Sequence, residues 1–235
     1  MEEEVKNIIV IGASAGGIAA VSKLAATFVP ELDAAIFVVI HLSRASNTDV
    51  ILNYVQKSTS LTCKIAYDGE IIQNRAIYFC VADHHMIIER GKINIKKGAK
   101  ENHYRPAIDV LFRSAAVAYG NCTAGIILTG LLDDGTSGML AIKRSGGMCI
   151  IQAPEEAEFS DMPMNVLRNV DVDFSVSIEE MVYILMDMFI EDRCEPHFVP
   201  EEVRLEAQIA MRMSSNVDDI YRLGTLTSIT CPDCG

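Results

Sequence analysis

The sequence predicts an α/β fold: a doubly wound, mainly parallel sheet flanked by helices, with a small antiparallel hairpin insertion. Three observations predict it. Short, unbroken apolar runs such as NIIVIG (7–12), AAIFVVIH (34–41) and TAGIILTG (123–130) read as strands buried on both faces. Segments with helical spacing alternate with them. Two β-rich runs meeting at Arg90-Gly91 read as a hairpin.

The elements follow in order. After the first strand, 17–28 is a helix with Pro30 beyond its end. The second strand, 34–41, leads to a helix at 47–57, capped by Asn47 or Thr48. Residues 61–66 form a further strand. From 67 to 98 the rhythm breaks: RAIYFCVA, HHMIIE and KINIKK are β-rich and predict an antiparallel insertion. Residues 106–120 are a helix with Pro at its first turn and Gly at its end. A strand at 123–130, a helix at 136–146 and a strand at 148–153 complete the sheet. Helices at 178–192 and 200–214 follow, the second charged and mixed in pattern. A boundary near 193 divides a main domain, 1–192, from a helical and irregular extension, 193–235, that ends in a C-x-x-C.

Bulk properties narrow the function. The chain has 235 residues, 50% hydrophobic, enough for one sizeable domain with a small appendage. There is no uncharged apolar run of membrane-spanning length and no basic-then-apolar leader, so a cytoplasmic protein is expected. The net charge of −12 argues against nucleic acid, whose phosphates need a basic footprint. Cys63, Cys80, Cys122 and Cys149 lie in apolar stretches and read as buried, reduced thiols. Cys231 and Cys234 form a terminal C-x-x-C, which would supply two of the four ligands of a zinc site. Cys194 and His197 have unusual spacing for the other two, and no cofactor is expected.

The turn after the first strand carries the chemistry. Gly12, Ser14, Gly16 and Gly17 spell G-x-S-x-G-G. A dinucleotide fingerprint needs a middle glycine where Ser14 stands and an acid closing the second strand, where His41 stands. No Walker-type lysine follows. G-x-S-x-G between strand and helix instead fits a nucleophile elbow, with the Ala15 amide able to face an oxyanion. A plain Gly-Ala-Ser turn is the competing reading. A serine needs a base, and the base an orienter. His41 ends the second strand, and Asp133 and Asp134 follow the strand at 123–130. All three residue types therefore meet just past the carboxyl ends of parallel strands, where such sheets bind ligands. One of the two aspartates is expected to cap the helix at 136. The chain order Ser, His, Asp differs from that of α/β-hydrolases.

The blocks IGASAGG, VIHL, DHHM, RPAIDVLFRSAA, GIILTGLLDDGTSGM and FSDMP resemble the catalytic domain of the CheB-type chemotaxis protein-glutamate methylesterases. They occur in that family's order over about residues 7 to 190. The resemblance implies hydrolysis of glutamate methyl esters on cytoplasmic helices of chemoreceptors, and deamidation of receptor glutamines in some members. It places the nucleophile at Ser14, the base at His41 and the triad acid at Asp134. It implies oxyanion amides at Ala15 and Leu131, and cleft-lining roles for His85, Arg105 and Asp133. Asp109 reads as a lining or structural residue. Two departures stand out: Ala15 where the family commonly has Thr, and Leu131-Leu132 where it commonly has Met-Gly. The elbow begins within the first dozen residues, so no receiver domain is expected before it, leaving a separate response-regulator partner as the expected control. A serine esterase or amidase with another substrate stays open, as does a non-catalytic signalling scaffold.

Overall fold

The computed structural model describes residues 5–43, 46–190 and 198–212. Seven parallel strands form one sheet: β1 (Ile8–Ala13), β2 (Ala35–Ile40), β3 (Thr62–Ile65), β4 (Ala76–Phe79), then, after an excursion, Thr123–Ile127, Met148–Gln152 and Phe174–Val176. The excursion is a separate antiparallel pair, β5 (His85–Glu89) and β6 (Lys92–Lys96), turning at Gly91 with φ 73°. The later sheet strands are therefore β7, β8 and β9. Their order across the sheet is β3-β4-β2-β1-β7-β8-β9. β1 lies at the centre, with β2 and β7 on its two sides.

The helices cover both faces. They are α1 (Gly17–Thr27), α2 (Thr48–Gln56), α3 (Ile108–Tyr119), α4 (Thr136–Arg144), α5 (Asp161–Asn169), α6 (Ile178–Ile190) and α7 (Glu201–Arg212). Alternate residues of β1 serve opposite faces, as the period of a strand requires. Ile8 and Val10 join the core under α3 and α4, while Ile9 and Ile11 join the one under α1 and α6. Asn47 caps α2 by accepting from the Asp49 N–H at 2.9 Å.

Two expectations are corrected. RAIYFCVA is not part of the antiparallel insertion: β4 lies between β2 and β3 in the main sheet. Its four residues are all buried, the mark of an interior parallel strand. Cys63, Cys80 and Cys149 are buried free thiols, but Cys122 is disulfide-bonded. Helix α7 lies beyond the expected boundary at 193, yet it packs on α3, and Val199 and Val203 enter the α3 core. Sequence reading also missed α5 and β9. Pro163 sits in the first turn of α5, where a missing N–H costs nothing, and three-residue β9 is too short to show a period.

Candidate active site

Ser14 occupies the turn between β1 and α1. Gly16 is left-handed (φ 73°), a conformation glycine adopts without a Cβ clash, and the Gly17 N–H closes the turn on the Ser14 carbonyl at 2.9 Å. The end of β7 holds the turn from the side. The Ser14 N–H donates to the Thr129 carbonyl (3.0 Å), and the Thr129 hydroxyl donates to the Ala15 carbonyl (3.1 Å). A methyl group on Gly130 would lie 2.8 Å from Ser14 Cβ, so the bare backbone there lets the β7 loop press against the serine.

His41 follows β2 directly, its N–H on the Ala13 carbonyl. Asp134 follows β7, one residue before the left-handed Gly135 that opens α4. The sheet register thus brings three distant residues together. His41 Nδ1 lies 3.1 Å from Ser14 Oγ, and His41 Nε2 lies 2.7 Å from Asp134 Oδ2. The imidazole is 4% exposed and the carboxylate 0%. A carboxylate accepts only, so the neutral ring carries its proton on Nε2 and turns the Nδ1 lone pair to the serine hydroxyl, which donates. The ring nitrogens are reversed relative to the chymotrypsin arrangement, with the same division of roles.

Four donors converge on Asp134. Oδ2 accepts from His41 and from the Ile108 N–H (2.7 Å); Oδ1 accepts from Asn102 Nδ2 (2.8 Å) and the Asp109 N–H (3.2 Å). The two amides belong to the first turn of α3, where N–H groups lack helical partners and the dipole favours an anion. Burial alone would raise this carboxyl; the His41 hydrogen bond and charge, with the Ile108 and Asn102 donors, hold it below the usual range.

Asp109 is a second carboxyl in the same pocket of structure. It accepts from the Gly138 N–H (2.6 Å) and from Asn102 Nδ2 (2.8 Å). Burial first, and the neighbouring Asp134 charge second, push it up to about 7. Raised above its unfolded value, this group gives a stabilising contribution that is complete below about pH 4 and is lost as pH rises through about 7. Asp109→Asn, which does not titrate, is therefore expected to show a smaller fall in Tm between pH 5 and 8 than the wild type in thermal melts at fixed salt. Parallel Tm curves over that window would refute the assignment.

An open cleft of about 510 Å³ exposes the serine and is walled by His41, Tyr104, Lys100, His103 and Arg105. Arg105 is in the wall as expected, fixed by two hydrogen bonds to Asp83 Oδ1 and one to the Gly98 carbonyl. His85 is not in it. It is buried at the start of β5, where Nε2 donates to the Ala99 carbonyl (2.7 Å) and Nδ1 accepts from the Ala107 N–H (3.2 Å). Burial holds its pKa down, so it is a neutral strut rather than a cleft residue. Asp133 is also outside the cleft: the loop that turns Asp134 inward leaves its neighbour exposed, lining a second hollow of about 450 Å³ with Asn102, Asp109 and Asn165.

The Ala15 and Leu131 N–H groups make no hydrogen bond among the described residues. Leu132 is left-handed (φ 67°), a conformation that costs a residue with a Cβ roughly 1–2 kcal/mol, and Asn165 Nδ2 secures its carbonyl at 2.8 Å. Leu132→Gly should relieve that strain and raise the unfolding free energy by about 1 kcal/mol in urea titrations. An unchanged or lower midpoint would show that the loop is not strained.

Sequence reading missed two residues of the site. Tyr104 lies flat on His41, ring centroids 3.5 Å apart and planes 5° apart. Asn102 bridges the two buried carboxyls. Both belong to the tight turn Glu101–Tyr104, whose end residues exchange both backbone hydrogen bonds and whose two central residues, Asn102 and His103, are left-handed (φ 50° and 67°). The Asn-x pair inside ENHY was the available signal for such a turn. Among the described residues no group of three or more His, Cys, Asp or Glu could hold a metal. Cys194, His197, Cys231 and Cys234 lie outside the described residues.

Comparison with known proteins identifies the family. The CheB methylesterase family profile covers residues 9–185. A putative protein-glutamate methylesterase/protein-glutamine glutaminase of Leptospira interrogans is 32% identical over 179 residues, 76% of this chain and 92% of that protein. The protein-glutamate methylesterase/protein-glutamine glutaminase 2 of Methanosarcina mazei is 33% identical over 185 residues, 75% of this chain; the chain spans only half of that relative's length. The crystal structure of the Thermotoga maritima CheB methylesterase catalytic domain superposes with a TM-score of 0.73 at 29% identity, covering 77% of this chain and 98% of that one. By profile, by sequence and by fold, the chain belongs to the CheB methylesterase family.

Proposed function

We propose that the protein is a serine hydrolase that removes methyl groups from glutamate methyl esters on the cytoplasmic helices of chemoreceptors, and that it deamidates receptor glutamines at the same site. The carrying observation is the continuous hydrogen-bonded line from Ser14 Oγ through His41 to Asp134 at the floor of an open cleft. His41 Nδ1 takes the hydroxyl proton as Ser14 attacks the γ-carbonyl. The Ala15 and Leu131 amides receive the oxyanion. His41 returns the proton to the departing methanol, and water, activated the same way, frees the glutamate. Asp134 keeps the Nε2 tautomer and stabilises the imidazolium. Among the described residues no helix is long and apolar enough to cross a membrane. A separate response regulator is the proposed controlling partner.

The direct test is release of methanol from methylated chemoreceptor fragments, and of ammonia from fragments carrying glutamine at the same positions. Methanol release supports the reading. If neither product forms while simple esters are hydrolysed, the enzyme is an esterase with a different protein or small-molecule substrate.

A further inference from the structure

Two members of the triad are touched by one short turn. Tyr104 covers a face of the His41 ring, and Asn102 donates to Asp134. These contacts act on different degrees of freedom. The hydrogen bonds at Nδ1 and Nε2 set the ring's direction within its plane, but neither resists tilt of the plane. A flat ring at 3.5 Å does. The stack also strengthens when the imidazole becomes a cation, because an aromatic face attracts positive charge. The contact therefore favours the state formed as the serine attacks. Asn102 solves a second problem. Asp109 and Asp134 are both buried and both accept from the first turns of helices. A single amide with one N–H on each carboxylate holds the pair apart and in line.

The turn itself is pinned from below. Arg113 of α3, buried under it, pairs with Glu101, and Glu206 of α7 lies 3.9 Å from the same guanidinium. Two left-handed non-glycine residues in succession persist only where the surroundings over-determine them. Here a buried ion pair at one end and a stacked ring at the other do so.

We propose that the turn Glu101–Tyr104 is a positioning element of the active site, with Tyr104 holding the plane of His41 and Asn102 the line of Asp134. The proposal rests on the Ser14–His41–Asp134 reading above. Each acts through a triad side chain. Their loss is expected to lower the rate of serine attack, since misplacement by about 1 Å can cost about 10²-fold in rate.

The test uses two readouts, one independent of any substrate. A fluorophosphonate probe reports Ser14 reactivity by forming a serine–phosphorus bond with loss of fluoride. Side-chain ¹⁵N spectra report whether His41 is a single tautomer protonated at Nε2. Tyr104→Ala should slow labelling about 10- to 100-fold and, by letting the ring tilt off Asp134 Oδ2, give an averaged His41 tautomer. Tyr104→Phe, which keeps the flat ring, should recover labelling to within about threefold of wild type. Tyr104→Leu keeps most of the volume without the flat face, so it should fold and still label slowly. Labelling and tautomer unchanged in both Ala and Leu variants would overturn the proposal and leave the triad reading intact. A wild type inert to the probe, with a tautomer that shifts in Tyr104→Ala, would sink the hydrolase reading while supporting the positioning role. An inert wild type with an unmoved tautomer would overturn both.

Discussion

Ser14→Ala is expected to abolish methanol release from methylated receptor fragments, lowering turnover about 10⁴- to 10⁶-fold. The substitution is clean. Alanine keeps the Cβ against which Gly130 packs, the N–H to Thr129 is backbone, and only the Oγ hydrogen bond to His41 disappears. Fold and substrate affinity should therefore survive, with Tm close to that of the wild type and binding of the methylated fragment unchanged. Turnover alone collapses because, among the described residues, no other hydroxyl hydrogen-bonds His41. Residual release at more than a hundredth of the wild-type rate would show that water, not Ser14, attacks the ester.

Asp134→Asn is expected to cost about 10⁴-fold in kcat with a small change in KM. The cause is tautomeric. Asp134 can only accept, so it fixes the His41 proton on Nε2 and leaves Nδ1 as the base. An asparagine that accepts from the Ile108 N–H with its oxygen at the Oδ2 position would still leave the ring nitrogen little charge to lean on. In the flipped orientation its amide donates to Nε2 and moves the ring proton to Nδ1, facing Ser14 and useless as a base. Either way the negative charge that stabilises the imidazolium is gone. The helix α3 amides that converge on Asp134 also lose their anion. A decrease in kcat of less than tenfold would mean that His41 needs no orienting acid in this protein.

How much of this was legible in the sequence follows from what each residue depends on. Ser14, His41 and Asp134 each follow the carboxyl end of an apolar run, and parallel strands bring such ends to one rim. Local pattern plus topology sufficed to gather them. Choosing Asp134 over Asp133 needed family resemblance, because nothing local distinguishes the aspartate that turns inward. Tyr104 and Asn102 lie between β6 and α3, in a loop with no period. Their importance arises from a ring stacked across a gap of more than 60 residues, which no spacing rule encodes. His85 failed in the opposite direction: a histidine beside a recognised block looked available, but two backbone groups had claimed both of its nitrogens. β4 was misplaced because a β-rich run announces a strand and not its neighbour; complete burial, visible only in three dimensions, decided for the interior of the sheet.

The packing of α7 on α3 has a bearing on where this protein can be cut. The family profile stops at residue 185, and α7 begins at Glu201. Yet Val199 and Val203 share a core with Leu111 and Phe112, and Glu206 reaches toward the arginine beneath the active-site turn. A chain trimmed at the limit of the profile would keep every triad residue and still bare an apolar stripe along the very helix whose first amides cradle Asp134. Packing runs on past the family profile, and the stretch beyond it is part of what the triad stands on.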